Sequence, residues 1–386
     1  MDLIKIPGSR IIDVSRLAFA TPGVDFLCFG ESDQPSPAAA RDALVQALDA
    51  GATKYPDVRG LPALREALAA QLSTLHAKKV AESRIQVTAS GMAAVNIALA
   101  AIVRAGQRPR DRVVMHTPEW PNIANAALLR GAEVDALALT ARPDGSFHLD
   151  LDHLATKLRG ARAFILNSPN NPTGWTASAA ELRAILEICR GEKTWLIADE
   201  VYSRLTYAGA IAAPSLLDIA EPDDRVMVCN SFSKTWIMTG WRLGWIVLPE
   251  GARDTVTEIV EVTHSGVAPF IQHAGIAAIA DTQVVADFRA FCAEGRRLTT
   301  AALSGLNGIR YTAPDGAFYA FIGVDGLTDS LDFAKRLVTE HKVALAPGIA
   351  FGDAGEGHLR LCFAQSPARL TSALDRLRDG LRALRG

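Results

Sequence analysis

The chain has 386 residues, 49% of them hydrophobic, which is too long for one small core and suits one large or two unequal domains with room for a catalytic crevice. Forty basic residues against forty-two acidic give a formal net charge of −2, and no basic run carries interleaved aromatics, which argues against nucleic acid and for small substrates. The apolar run IALAAIV at 97–103 falls far short of the about 18 residues a membrane span needs, and MDLIKIPGSR at the start has no signal-peptide core. Cys28, Cys189, Cys229, Cys292 and Cys362 are scattered without CxxC spacing, as expected of a cytoplasmic protein with neither disulfide framework nor metal centre.

In chain order, the first 48 residues are Pro-rich and irregular, too few to fold alone, and are expected to pack against the C-terminal part. From about residue 60, helical periodicity alternates with short apolar runs: RIQVTA at 84–89, RVVMH at 112–116, AFILN at 163–167, TWLIAD at 194–199, RVMVCN at 225–230 and LGWIVL at 243–248. Continuous apolar strands between helices predict an α/β fold, with a large, doubly wound, mostly parallel sheet covered on both faces and ligands at the strand C-terminal ends. Two long helical patterns beyond residue 272 lead to a shorter α+β segment with strands at 316–322 and 358–364. The expected division is an N-terminal segment 1–48, a large domain 49–285 and a small domain 286–386.

The polar motifs fall at the predicted strand ends. RIQVTASGM reads as strand, tight turn at Ser90-Gly91, and a helix beginning near Met92, whose N-terminus is suited to a phosphate; a plain helix start is the competing reading. No GxGxxG or P-loop pattern follows, so a nucleotide is not indicated. NSPNNPTG at 167–174 is a stiff strand-exit turn with two candidate cis bonds, Ser168-Pro169 and Asn171-Pro172. TWLIAD ends in Asp199, followed by Glu200 and Tyr202, so a carboxylate and a phenol leave one strand end; an aspartate there also serves as a helix cap. In CNSFSKTWIMTGWRLGW at 229–245, Lys234 stands three residues after Ser231 and eight before Arg242. This lysine is either a solvated surface residue or the Schiff-base anchor of an aldehyde cofactor, with Ser231, Ser233 and Arg242 around a phosphate. An amide, a carboxylate and an amine on three successive strand ends favour the anchor.

These motifs, together with KYPDVRGLPALREAL at 54–68, ADEVYS at 198–203 and PGIAFGDAGEGHLRLCFA at 347–364, resemble the class I/II, fold-type I pyridoxal-phosphate aminotransferases from about Gly30 to Ala364. The resemblance implies that Lys234 forms the internal aldimine with pyridoxal 5'-phosphate and shuttles the proton during transfer of an α-amino group from an L-amino acid to a 2-oxo acid, through pyridoxamine phosphate. It implies that Asp199 pairs with the ring nitrogen, that Asn171 and Tyr202 hydrogen-bond the 3' oxygen, and that Trp120 stacks on the ring; a buried core indole is the other reading of Trp120. Ser90, Gly91, Met92, Ser231, Ser233 and Arg242 would form the phosphate cup, completed by Tyr55 of a second copy, which makes a homodimer with shared active sites the functional unit. Tyr55 also reads as a plain surface tyrosine. Arg360, on an apolar strand, would clamp the substrate carboxylate beside the Gly30 backbone, with Trp120 and Asn171 also against the substrate; a structural salt bridge is the competing reading of Arg360.

Three departures qualify the substrate. ESDQPSP follows Gly30 where many members have a proline two residues after the glycine. The stretch THSGVAPFIQHA at 263–274, which resembles the one lining a partner's site, contains no Arg or Lys. In the N-terminal segment that usually covers the substrate side chain, Ile11 and Ile12 stand between Arg10 and Arg16. A neutral or apolar amino donor is expected. A β-eliminating carbon–sulfur lyase would use the same lysine and aspartate, and a cofactor-binding regulator domain is a further alternative, although fewer than about thirty residues precede the Gly30 motif, too few for a DNA-binding module.

Overall fold

The computed structural model describes residues 6–104, 106 and 109–383; the outermost residues of the two terminal segments, 1–5 and 384–386, lie outside it. The sheet strands of the large part are Ile85–Thr88 (β1), Arg112–Thr117 (β2), Glu133–Ala138 (β3), Ala163–Asn167 (β4), Trp195–Asp199 (β5), Val226–Ser231 (β6) and Gly244–Val247 (β7). They form one sheet in the order β1-β7-β6-β5-β4-β2-β3. Only β7 runs antiparallel to its neighbours; the remaining pairs are parallel.

Each expected apolar run in this part lies on a strand, within a residue or two at the ends. The physical reason is burial on both faces. Along β4, Ala163 and Ile165 enter one hydrophobic cluster while Phe164 and Leu166 enter the other, and β5 alternates in the same way. The edge strand β3 has no such run: EVDALA is largely solvent-facing, so its sequence carries no continuous apolar signal.

A second, antiparallel sheet joins Ile309–Arg310 (β8), Tyr319–Val324 (β9), Ala346–Pro347 (β10) and His358–Cys362 (β11) in the order β8-β9-β11-β10. The helices Pro269–Ala280 and Thr282–Leu303 precede it. The N-terminal segment does pack on this part: Asp25–Phe26 pairs in parallel with Val343–Ala344, and the Leu27 carbonyl accepts from the Cys362 N–H at 2.9 Å. That pairing sets Cys28–Gly30 against β11. Helix Arg10–Ala20 packs on helix Ser330–His341. No helix among the described residues is long and apolar enough to cross a membrane.

Candidate active site

Three strand termini lie side by side. Asn167 at the end of β4 pairs in register with Asp199 at the end of β5, and Asp199 pairs with Cys229 two residues before the end of β6. A one-turn helix, Phe232–Thr235, follows β6 directly and carries Lys234. Around these termini is a cavity of about 330 Å³, closed on its other side by Gly30 and by Tyr319 and Arg360 of the small sheet. Of the sequence candidates, Gly91, Met92, Trp120, Asn171, Tyr202, Ser231, Ser233 and Arg242 also line it. Ser90 stands just behind, as the N-cap of helix Gly91–Ile102, its Oγ accepting from the Ala93 N–H at 3.0 Å. Tyr55 does not reach this cavity and is 93% exposed.

Lys234 Nζ donates to the Gly30 carbonyl at 2.6 Å and sits 5.8 Å from the centre of the Tyr202 ring. No carboxylate pairs with it among the described residues. Burial therefore dominates and lowers its pKa to about 8, with the positive charges of Arg360 and Arg242 acting in the same direction. Asp199 is pushed up to about 6 by burial, against the opposing pull of the Val201 N–H and of Lys234. A cation arriving at Asp199 would reverse that shift.

Arg360 is 1% exposed. Its Nη1 donates to Asn171 Oδ1 at 2.9 Å and its Nη2 to the Cys28 carbonyl, while Nε has no partner. No carboxylate pairs with it among the described residues, so the structural-salt-bridge reading fails. A buried guanidinium held only by neutral acceptors is costly until an anion arrives. Trp120 is partly buried and lines the cavity rather than filling the core alone.

Several residues in the site carry no local sequence signal. Tyr319 on β9 donates or accepts at 2.7 Å with the Tyr202 hydroxyl, and a Cβ at position 30 would lie 2.2 Å from the Tyr319 oxygen, which explains why residue 30 must be glycine. His116 and Glu119 are both buried, with His116 Nε2 3.4 Å from Glu119 Oε2. Burial holds His116 down to about 4 and Glu119 well above the usual carboxylate range, Asp199 adding to the latter shift. Glu119 Oε1 accepts from the Trp120 N–H at 2.7 Å and Oε2 from Asn170 Nδ2 at 3.4 Å, tying the Trp120 segment to the NSPNNPTG turn. The motif HTPEWPN shows both residues, but only the packing reveals that they are buried. Glu200 turns away from the cavity: it accepts from Ser215 Oγ at 2.7 Å and the Leu216 N–H at 3.0 Å. Ser168-Pro169 is cis and Asn171-Pro172 is not; Thr117-Pro118 is also cis, which the sequence reading did not single out.

Comparison with known proteins gives this arrangement its family. The profile described as aminotransferase class I and II matches residues 24–377. The chain belongs to the class I and II aminotransferases. It is 32% identical to an aspartate aminotransferase of Thermotoga maritima over 98% of this chain and 97% of that protein. It is 31% identical to an arginine–pyruvate transaminase of Pseudomonas aeruginosa, over 87% and 84%. The crystal structure of an aspartate aminotransferase from Thermotoga maritima superposes with a TM-score of 0.90 at 31% identity, covering 98% of each chain. The fold is thus fold type I, and the activity is that of a pyridoxal-phosphate-dependent aminotransferase.

The residues present fit the cofactor. A Cβ on Gly91 would come within 3.0 Å of Val201 Cγ1 and 3.2 Å of Ser231 Cβ, so glycine keeps the helix start close to Val201 and Ser231. Helix Gly91–Ile102 presents N–H groups that lack intrahelical partners in its first turn. A buried carboxylate with no cation paired to it among the described residues, a lysine with a lowered pKa and a helix start lined by serines match what an aldehyde-bearing pyridine phosphate needs.

Proposed function

We propose that Lys234 is the Schiff-base lysine and proton carrier of this aminotransferase. The observation that carries the reading is the Lys234 amine, lowered to about 8 and held at 2.6 Å by the Gly30 carbonyl, in one cavity with Asp199 and Arg360. The large cofactor-binding part is 49–285 and the small part 286–386, with the segment 1–48 packed against the small part. Pyridoxal 5'-phosphate, when bound, supplies an electron-withdrawing ring that makes the Cα proton of an attached amino acid acidic.

The protein's own groups do the remainder. Ser90, Gly91, Met92, Ser231, Ser233 and Arg242 hold the phosphate, and Tyr55 of a second copy completes the cup. Asp199 keeps a proton on the ring nitrogen. Asn171 and Tyr202 donate to the 3' oxygen, Tyr319 fixing the phenol. Trp120 covers the ring face. Arg360 takes the α-carboxylate, with Asn171 and Gly30 beside it, and so presents the Cα–H to Lys234. The neutral amine of Lys234 would accept that proton and hold it for return across the C–N unit, acting first as base and then as acid, and hydrolysis by water would then release the 2-oxo acid. The homodimer and a cytoplasmic location, which the five free and buried cysteines suit, complete the proposal.

Purified with cofactor, the protein should show the visible absorption of a lysine-bound pyridoxal group, bleached by a donor amino acid and restored by a 2-oxo acid. Lys234→Ala should bind cofactor without that band and lose turnover. A wild-type protein loaded with cofactor that lacks the band, or a Lys234→Ala variant that turns over normally, refutes the proposal. Pyruvate and ammonia released from a cysteine-type substrate without an acceptor would mark a lyase.

A further inference from the structure

Glu119 is a buried acid that the chemistry above does not use. It is 2% exposed within a single copy, so its surroundings are set before any second copy docks, and no Lys or Arg pairs with it among the described residues. Its backbone N–H donates to the Phe351 carbonyl of the small part at 3.0 Å, and its Oε1 accepts from the Trp120 N–H at 2.7 Å. Oε2 accepts from Asn170 Nδ2 at 3.4 Å, and the same amide nitrogen reaches Asn167 Oδ1 at 3.4 Å. Asn167 Oδ1 also accepts from the Asn171 N–H at 2.8 Å, while Asn167 Nδ2 donates to the Asp199 carbonyl at 3.0 Å. One carboxyl group therefore stands at the head of a buried network that ends on Trp120, Asn171 and Asp199.

His116 fixes the state of that carboxyl group. Its Nε2 accepts from the Asn167 N–H at 3.1 Å and so carries no hydrogen, yet it lies 3.4 Å from Glu119 Oε2. A carboxylate would set lone pair against lone pair with no counter-charge at hand, whereas a proton on Oε2 joins the two atoms. Burial and the charge of Asp199 act on Glu119 in the same direction, against the Trp120 N–H. We propose that Glu119 is a positioning residue for transamination, acting as an uncharged carboxylic acid: one oxygen fixes Trp120, and the other, through Asn170 and Asn167, fixes Asn171 and Asp199. The inference rests on the cofactor reading of those three residues and adds the group that holds them.

The test compares Glu119→Gln with Glu119→Ala. Glutamine keeps an acceptor for the Trp120 N–H and puts an N–H where the acid carries its proton; alanine keeps neither and leaves buried donors unpaired. In the holoenzyme, Glu119→Ala should lower kcat by about tenfold or more and weaken the circular dichroism that the protein induces in the cofactor band. Glu119→Gln should recover most of both. A folded glutamine variant as impaired as the alanine one overturns the uncharged role, and an alanine variant equal to wild type in both readings overturns the positioning role. A second measurement needs neither cofactor nor turnover. In the cofactor-free protein at about pH 8.5, above the values near which Asp199 and Glu200 titrate (about 6 and about 7), the infrared difference between wild type and Glu119→Gln should contain the C=O stretch of a carboxylic acid. A carboxylate stretch in its place overturns the inference, even where the alanine variant does not fold. Wild type loaded with cofactor but lacking the visible band removes the transaminase reading and the positioning role with it; variants that fail these tests while the wild-type band is present overturn the inference alone.

Discussion

Lys234 depends on its surroundings for a working protonation state. An ordinary lysine titrates near 10.5, and burial in the cavity brings this one to about 8. The sign is that of a base with a lowered pKa: the neutral, nucleophilic amine accumulates as pH rises through about 8. Cofactor uptake by the cofactor-free protein should therefore accelerate between pH 7 and 8.5 and then level off, a profile stopped-flow absorbance would record; a rate still climbing tenfold per unit above pH 9 would contradict it. Arg360 behaves differently because no protonation change is open to it. In the proposed role it clamps the α-carboxylate through two donors, so Arg360→Gln should cost about 2–5 kcal/mol in kcat/KM for amino acids, with the cofactor spectrum retained. Arg360→Lys should recover only part of that, since an ammonium cannot reproduce the planar fork.

At the scale of elements, the site is a set of chain ends brought together by sheet order. β7 is the antiparallel member, and its insertion between β1 and β6 presses Gly244 on the Ser90-Gly91 turn: a Cβ there would meet the Ser90 carbonyl carbon at 2.7 Å and the Gly91 nitrogen at 2.9 Å. These are backbone atoms and cannot rotate away. Gly244→Ala is expected to destabilise the protein by about 1–3 kcal/mol in a urea titration and to raise the cofactor dissociation constant, because the atoms displaced belong to the proposed phosphate cup. A variant equal to wild type in both would mean that the turn yields more easily than its packing implies. The strands legible beforehand were those buried on both faces, where most residues are apolar. β3 was not legible, since an edge strand needs no such run, and Asp25–Phe26 was not, since a two-residue strand has no period to read.

For the whole molecule, the exposed apolar groups concentrate the question of assembly. Tyr55 is 93% and Val262 86% exposed, high values for large apolar side chains. A homodimer that brings Tyr55 to the other copy's phosphate cup would cover the first of them. Light scattering should give a mass near twice 41.2 kDa, and Tyr55→Phe should weaken cofactor binding by about 0.5–1.5 kcal/mol, the worth of one hydrogen bond. A monomer with full activity would dismiss the shared site.

The sequence by itself indicated six of the seven strands of the large sheet, the residues Lys234, Asp199, Asn171 and Arg360 as a chemical set, and the family they resemble. Local pattern suffices there, because strand burial and strand-end motifs are written in consecutive residues. The tertiary structure alone decided what those residues face. Tyr319 reaches Tyr202 across 117 positions and Arg360 reaches Asn171 across 189. It also decided that Glu119 and His116 are buried and that Glu200 turns away. Charge state follows from desolvation and from which groups meet, and both arise only when distant segments pack.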